Sequence, residues 1–239
     1  MKNRSLLASA VLGITIGLGI AFAGYRIGDA LYKIKAGQRY VSVKGLAEKE
    51  VSADLVIWPL AFVETDNDLA RLQQKVNRDY SIIRDFLMNQ GFTGKEIYKT
   101  PPVITDYQSM GYVKKNMPAY RYKAGASILL RSEKVKLAIQ SMGRSDTLVK
   151  KGVALVRDYN HRTEFLFTSL NKIKPGMIAE ATRGARKAAE QFARDSGSKV
   201  GAIRRARQGF FTIRNRDASS PYYKKVRVVT TVEYFLIDK

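Results

Sequence analysis

The side chains whose type and spacing suggest chemistry are cations. The segment "GAIRRARQGFF" (201–211) carries the knot Arg204-Arg205-Ala206-Arg207. Nine basic residues stand between Lys199 and Arg227 against a single acid, Asp217. Tyr222-Tyr223-Lys224-Lys225 then sets aromatic rings beside ammonium groups, and Phe210 and Phe211 are interleaved in the same way. Guanidinium forks grip phosphate and carboxylate groups, while rings beside cations stack on bases or settle at a headgroup interface. Arg204, Arg205, Arg207, Lys224 and Lys225 are therefore the candidate anion-binding set, for anionic lipid, glycolipid or nucleic acid. The competing reading is plain alternation of core aromatics with exposed cations along strands. No recognised nucleic-acid motif accompanies the charge, which makes nucleic acid the least favoured partner.

Other chemistry is thin. Cysteine is absent and His161 is the sole histidine, which removes thiolate metal sites and histidine-based triads. No glycine-rich phosphate loop, GxSxG elbow or HExxH pair is present. The acid pairs Glu48/Glu50 and Asp66/Asp68 fall in turn or helix-cap contexts, His161 reads as a turn residue, and Trp58 reads as a core aromatic. The sequence thus predicts no catalytic residue, no metal and no cofactor: a protein that is not an enzyme. With 42 Lys and Arg against 21 Asp and Glu, the net charge of +21 favours anionic partners without dictating a fold.

These residues need elements to hold them. The chain of 239 residues is long enough for a sizeable core. Residues 5–25 carry no charge, and as a helix they would span about 31 Å, close to the thickness of a bilayer core. Ser9, Gly13, Gly17 and Ala21 recur every fourth position and would line one helix face with a groove where a second helix can approach. "AFA" at 21–23 behind Lys2 and Arg4 also fits a cleavable signal peptide. The retained anchor is the favoured reading of residues 1–25. Residues 26–39 then form a basic linker, and its excess of cations would by charge count keep the domain cytoplasmic.

Residues 40–239 read as one α+β domain. Strands are expected over 40–47 and 51–64, with Pro59 at an edge or bulge. A long amphipathic helix runs from Leu69 to Gly91. Strands follow over 96–107 and 120–131, a short helix over 132–143, and strands over 151–159 and 163–170. A second long helix spans Met177 to about Ser196, followed by strands over 199–213 and 224–237. The order helix, glycine, strand, polar loop, "YRYK" (120–123), strand returns as helix, glycine, strand, polar loop, "YYKK" (222–225), strand. Two pseudo-repeated α-β-β units, an antiparallel sheet packed with two long helices, are the expected architecture. On a wheel of 178–196, Ile178, Ala181, Ala185, Ala188, Ala189 and Phe192 share the inner face. The helix carries four cations and three acids, so it reads as a packing element rather than a polyanion grip.

Two blocks resemble the bacterial SIMPL-domain family. "VSVKGLAEKEVSADLVIWPLAF" is similar to the family's opening strand, its glycine (Gly45) and a second strand begun by Pro-Asp, here Ala53-Asp54. Ala181, Ala185, Ala188, Ala193, Gly197 and Gly201 follow the family's alanine-spaced helix and its glycines. "YRYKAGASILLRSEKVKLAIQ" fits the middle strand and short helix, so the likeness covers about residues 40–237. The resemblance implies an exported α+β domain, periplasmic or membrane-associated, that self-assembles, is loosely tied to stress tolerance and has no agreed catalytic residues. Taken with the favoured anchor, it points to an inner-membrane protein with one N-terminal pass and its domain in the periplasm, partnered by itself and by lipid.

Overall fold

The computed structural model describes the backbone of residues 2–36, 39–109, 118–156 and 162–238, with side chains from Leu12 to Gly28, at Ala30, and from Arg39 to Ile237. His161 and the polar segment 110–117 lie outside the described residues. In chain order the elements are α1 (Lys2–Ala36), β1 (Tyr40–Ser52), β2 (Leu55–Asp66), α2 (Leu69–Asn89), a 3-10 turn (Gly94–Glu96), β3 (Ile97–Lys99), β4 (Val103–Asp106), β5 (Tyr122–Ser132), α3 (Val135–Met142), α4 (Asp146–Lys150), β6 (Leu155–Val156), β7 (Glu164–Leu166), α5 (Leu170–Asp195), β8 (Ser198–Gln208), β9 (Thr212–Asn215) and β10 (Tyr223–Asp238). The α+β expectation with antiparallel sheets and two long domain helices is met. Two compact units make up the chain: one of residues 1–48, 174–212 and 227–239, the other of residues 49–173 and 213–226.

In the first unit β10 lies between β1 and β8. It pairs antiparallel with β8 from Thr230↔Gln208 to Asp238↔Ser198. The Leu236 N–H donates to the Arg39 carbonyl at one end, and Arg227 meets Glu48 at the other, so β1 also runs antiparallel to β10. Helix α5 packs on this sheet through Met177, Ala181, Ala185, Ala189 and Ala193, a straight every-fourth-residue stripe. The wheel had placed Ile178 and Phe192 inward instead. Phe192 is 59% exposed, and the stripe is one of small side chains because the helix comes very close to β1 at Gly45. A Cβ there would sit 1.7 Å from the Ala181 carbonyl oxygen and 2.6 Å from the Ala185 nitrogen. Val43, Val232 and Tyr234 close the small core against the alanines.

The second unit has the larger core. Its sheet runs β3-β5-β2-β6, with β4 also on β5 and β7 also on β2. Helix α2 buries Leu72, Val76, Tyr80, Ile83, Phe86 and Leu87 at helical spacing, joining Val56, Trp58, Leu60, Phe62, Ile128 and Leu130 from the strands. Asp68 caps it, its carboxylate accepting the Arg71 N–H at 2.8 Å. Pro59, expected at an edge or bulge, pairs with β5 on one side opposite Leu129. On the other side β7 pairs with residues 55–57 and β6 with 61–62, so among the described residues no strand partner stands opposite the proline there. Of the strand read over 151–159, the described residues show Leu155–Val156, and residues 157–159 lie outside them. The strand read over 163–170 is three residues long, and α5 starts at Leu170 rather than after Pro175. Pro175 is the sixth residue of α5, past the four N–H groups that have no intrahelical partner, so it removes one hydrogen bond of the second turn.

The internal echo is visible in the strand orders. In the second unit the long strand β5 has β2 on one side and β3 with β4 on the other; in the β1-containing sheet, β10 has β1 on one side and pairs also with β8 and β9.

Candidate functional site

Helix α1 is the first surface that needs explaining. Leu12, Ile14, Ile16, Leu18, Ile20 and Phe22 are each more than half exposed. Steps of two residues rotate by about 200°, so these side chains surround the helix instead of forming one stripe. A Cβ added at Gly13 or Gly17 would meet nothing within 4 Å, so the face they share with Ala21 is unfilled. The Ser9 side chain lies outside the described residues. Among the described residues no helix is long and apolar enough to cross a membrane, so the transmembrane span expected within residues 1–25 gains no support from that measure. The uncharged run extends back to Ser5, and for Ser5–Val11 only the backbone is described.

The basic knot lies on β8, an end strand that pairs only with β10 among the described residues. From Ala202 to Gln208 every residue is exposed, so neither strand face is covered. The register slips between Glu233 and Tyr234 and again before Leu236, each time leaving one extra residue in β8. The first extra residue is Arg204. Its guanidinium stacks over the Tyr40 ring at 4.1 Å and lies 3.5 Å from Glu233, which ties it across the sheet. Arg205 and Arg207 make no hydrogen bond or ion pair among the described residues. Charges and bulges on an unpaired edge are the usual guard against edge-to-edge strand pairing, and β8 has both.

The five candidate cations are not alike. Arg204, Arg205 and Arg207 belong to the first unit, Lys224 and Lys225 to the second. Lys224 has to leave the anion-binding set. It is 8% exposed, its ammonium donates to the Asn215 side chain, and burial holds its pKa below the usual lysine range against the opposing charge of Glu164. Lys225 is exposed and has contacts of its own. The tyrosines before them are fixed: Tyr222 meets Phe165 edge-on at 6.0 Å, and Arg216 lies 4.4 Å over Tyr223. Arg216 is itself held by Asp217 at 2.8 Å and Glu50 at 3.8 Å.

The acids are engaged in structure. Asp54 accepts the Thr168 N–H at 2.6 Å and the Ser169 N–H at 2.8 Å, pinning the chain as it enters α5. Burial works against its charge, but these hydrogen bonds win and leave the pKa below the ordinary carboxylate range. Glu96 gives a similar result. Partial burial opposes its charge, yet Ser132 at 2.6 Å, the Thr93 N–H and Lys134 bring its pKa to about 2. Asp66 is brought to about 2 by the Lys75 ammonium and the Asp68 N–H. Asp79 is fully buried, with one oxygen on Arg78 at 2.9 Å and the other, Oδ2, without a donor among the described residues while Glu64 is ionised. The same Arg78 reaches Glu64 at 3.3 Å. Burial, with the hydrogen bond and charge of Asp79, pushes the Glu64 carboxyl up. Among the described residues no three metal-ligating side chains are grouped to hold an ion. Sequence reasoning missed Asp79 and the anchoring role of Asp54. Only the latter left a signal, as the second residue of the Ala53-Asp54 pair at the start of β2.

An antiparallel α+β protein with its buried and half-buried acids engaged in structure is the class that fold and surface define. Within that class, the model of the SIMPL family, described as a protein of unknown function (DUF541), matches residues 41–233, and the chain belongs to that family. No curated protein matches the chain.

Proposed function

We propose that this is a non-enzymatic, membrane-anchored protein of the bacterial cell envelope that assembles with copies of itself, its α1 helix in the inner membrane and its folded units in the periplasm. The observation that carries the reading is α1: apolar side chains all round the helix and an open glycine face, left uncovered by the described residues. A helix apolar on every side is stable against lipid or other helices, and small residues at every fourth position favour helix–helix contact. A role in stress tolerance rests on the family resemblance alone. The test is the mass of the full-length protein after detergent extraction from membranes, by light scattering corrected for bound detergent. A stable oligomer that Gly17→Leu dissociates supports the reading. Recovery of the wild type in the soluble fraction, or as a strict monomer, overturns it.

A second reading, a binding module for anionic lipid or glycolipid, draws on Arg205 and Arg207, whose donors have no acceptor among the described residues. Binding to anionic vesicles should then fall steeply with salt. Unchanged binding by the double variant Arg205→Glu/Arg207→Glu would sink it.

A further inference from the structure

The second unit contains a cleft of about 440 Å³ beside α2, lined by Asn77, Tyr80, Ser81, Arg84, Ile97 and Lys99 among others. The α2 residues stand at i, i+3, i+4 and i+7, so one helix face supplies them all. What they offer is almost entirely hydrogen-bond donors. Arg84 has no hydrogen-bond or ion-pair partner among the described residues. The Lys99 ammonium is held 3.9 Å over the Tyr80 ring and meets no acid there. That ring is itself fixed, since the Tyr80 hydroxyl donates to the Thr100 carbonyl. The Asn77 side-chain oxygen already accepts from Gln73 at 3.2 Å, which leaves its NH2 as the group free to bond. Ser81 spends its proton on the Asn77 carbonyl at 3.1 Å. No acid lines the cleft. The nearby Glu96 is committed to Ser132, Thr93 and Lys134.

A guanidinium fork, an ammonium fixed by a ring and a free amide NH2, with no carboxylate among the lining residues to oppose them and only the Ser81 oxygen as a neutral acceptor, match a group that is rich in acceptors and doubly charged. The isoleucine and tyrosine walls suit an apolar or ring body attached to it, and the volume lies within the range in which proteins hold small ligands. We propose that this cleft binds the phosphate-monoester group of an organic ligand, either a soluble one or a lipid headgroup.

Calorimetry on the full-length protein in neutral detergent, at fixed ionic strength, tests this with phenyl phosphate as the soluble probe. Micelles of the same neutral detergent carrying phosphatidate serve as the lipid probe. The expected result is saturable binding of at least one probe, weakened about tenfold by Arg84→Gln and again by Lys99→Gln. Lys187→Gln, an exposed cation on α5, should leave it unchanged. Phenyl phosphate alone identifies a soluble ligand, phosphatidate alone a headgroup, and both outcomes support the site. No saturable binding of either probe overturns the proposal. So does weakening by Lys187→Gln as strong as that by Arg84→Gln, since diffuse charge would then explain the binding. Both cleft side chains are exposed, so the variants are expected to fold as the wild type does.

Discussion

Two facing glycines should respond oppositely to the same substitution. At Gly45 an added Cβ falls 1.7 Å from the Ala181 carbonyl oxygen, against about 3.4 Å for ordinary contact. Backbone cannot swing aside as a side-chain tip can, so α5 must retreat from β1 by more than an ångström. A gap of ~1 Å already forfeits up to about half of the dispersion energy of the atoms along it. The stripe that loses contact includes Ala181, Ala185 and Ala189, all fully buried. Overpacking by one methyl costs roughly 1–3 kcal/mol when side chains can adjust, so about 3 kcal/mol or more is expected for Gly45→Ala. Gly184 lies across the same contact, but a Cβ there would meet Gly45 and Leu46 at 3.9 Å or more, an ordinary distance. It is a helix-interior glycine, and Gly184→Ala should stabilise by roughly 0.5–1 kcal/mol. Amide hydrogen exchange of the full-length protein, read at β1 and α5, reports this unit separately from the other. Gly45→Ala within about 0.5 kcal/mol of wild type, or an equal loss in both variants, would refute the close-approach argument.

Three further outcomes are expected. Ser132→Ala should raise the Glu96 pKa from about 2 toward the usual 4.5, as seen by carboxyl-carbon NMR titration. Because the folded value is the depressed one, the stability Glu96 contributes is present above about pH 4.5 and lost as pH falls toward 2, and the variant should lose less of it on acidification. Glu64 has the opposite sign. Its carboxyl is raised, so its contribution is complete at low pH and fades as pH rises through the folded value. In Glu64→Gln an amide N–H replaces that proton permanently beside the unpartnered Asp79 oxygen. The variant should match wild type in urea unfolding at pH 4 and exceed it at pH 8, and a variant less stable at both would contradict the pairing. Finally, Arg205→Thr/Arg207→Thr should unfold within about 0.5 kcal/mol of wild type yet aggregate faster by light scattering and thioflavin fluorescence. Unchanged aggregation at equal stability would remove the edge-guard explanation.

What the sequence revealed, and what it hid, follows from the range of the interactions involved. The long helices and the repeated strand order rest on local periodicity, and these were readable. The inward stripe of α5 was misjudged by one position at each end, Ile178 for Met177 and Phe192 for Ala193. Hydropathy favours the larger residues, whereas Gly45 admits only the line of small ones, and that constraint comes from a strand more than a hundred positions away. Lys224 looked like its neighbour Lys225 in sequence, and only the partner Asn215 and burial separate them.

The charge balance limits what an unpaired cation can mean here. With 42 basic residues and 21 acidic ones, many cations must go without an acid wherever the acids are placed. The carboxylates of Asp54, Asp66, Glu96, Asp106 and Asp217 are all held below their ordinary range by specific hydrogen-bond partners, so they are tied to local structure. A lone arginine on this surface therefore carries little information, and position has to supply the rest. On β8 the position is an open strand edge broken by two bulges, which accounts for Arg205 and Arg207 without a ligand. Beside α2 it is a concave surface with no acid among its lining residues, one cation fixed on a ring, and donors converging from a helix face and a strand. Edge protection requires none of those features, and that difference makes the α2 cleft, rather than the more basic β8, the stronger place to look for a bound anion.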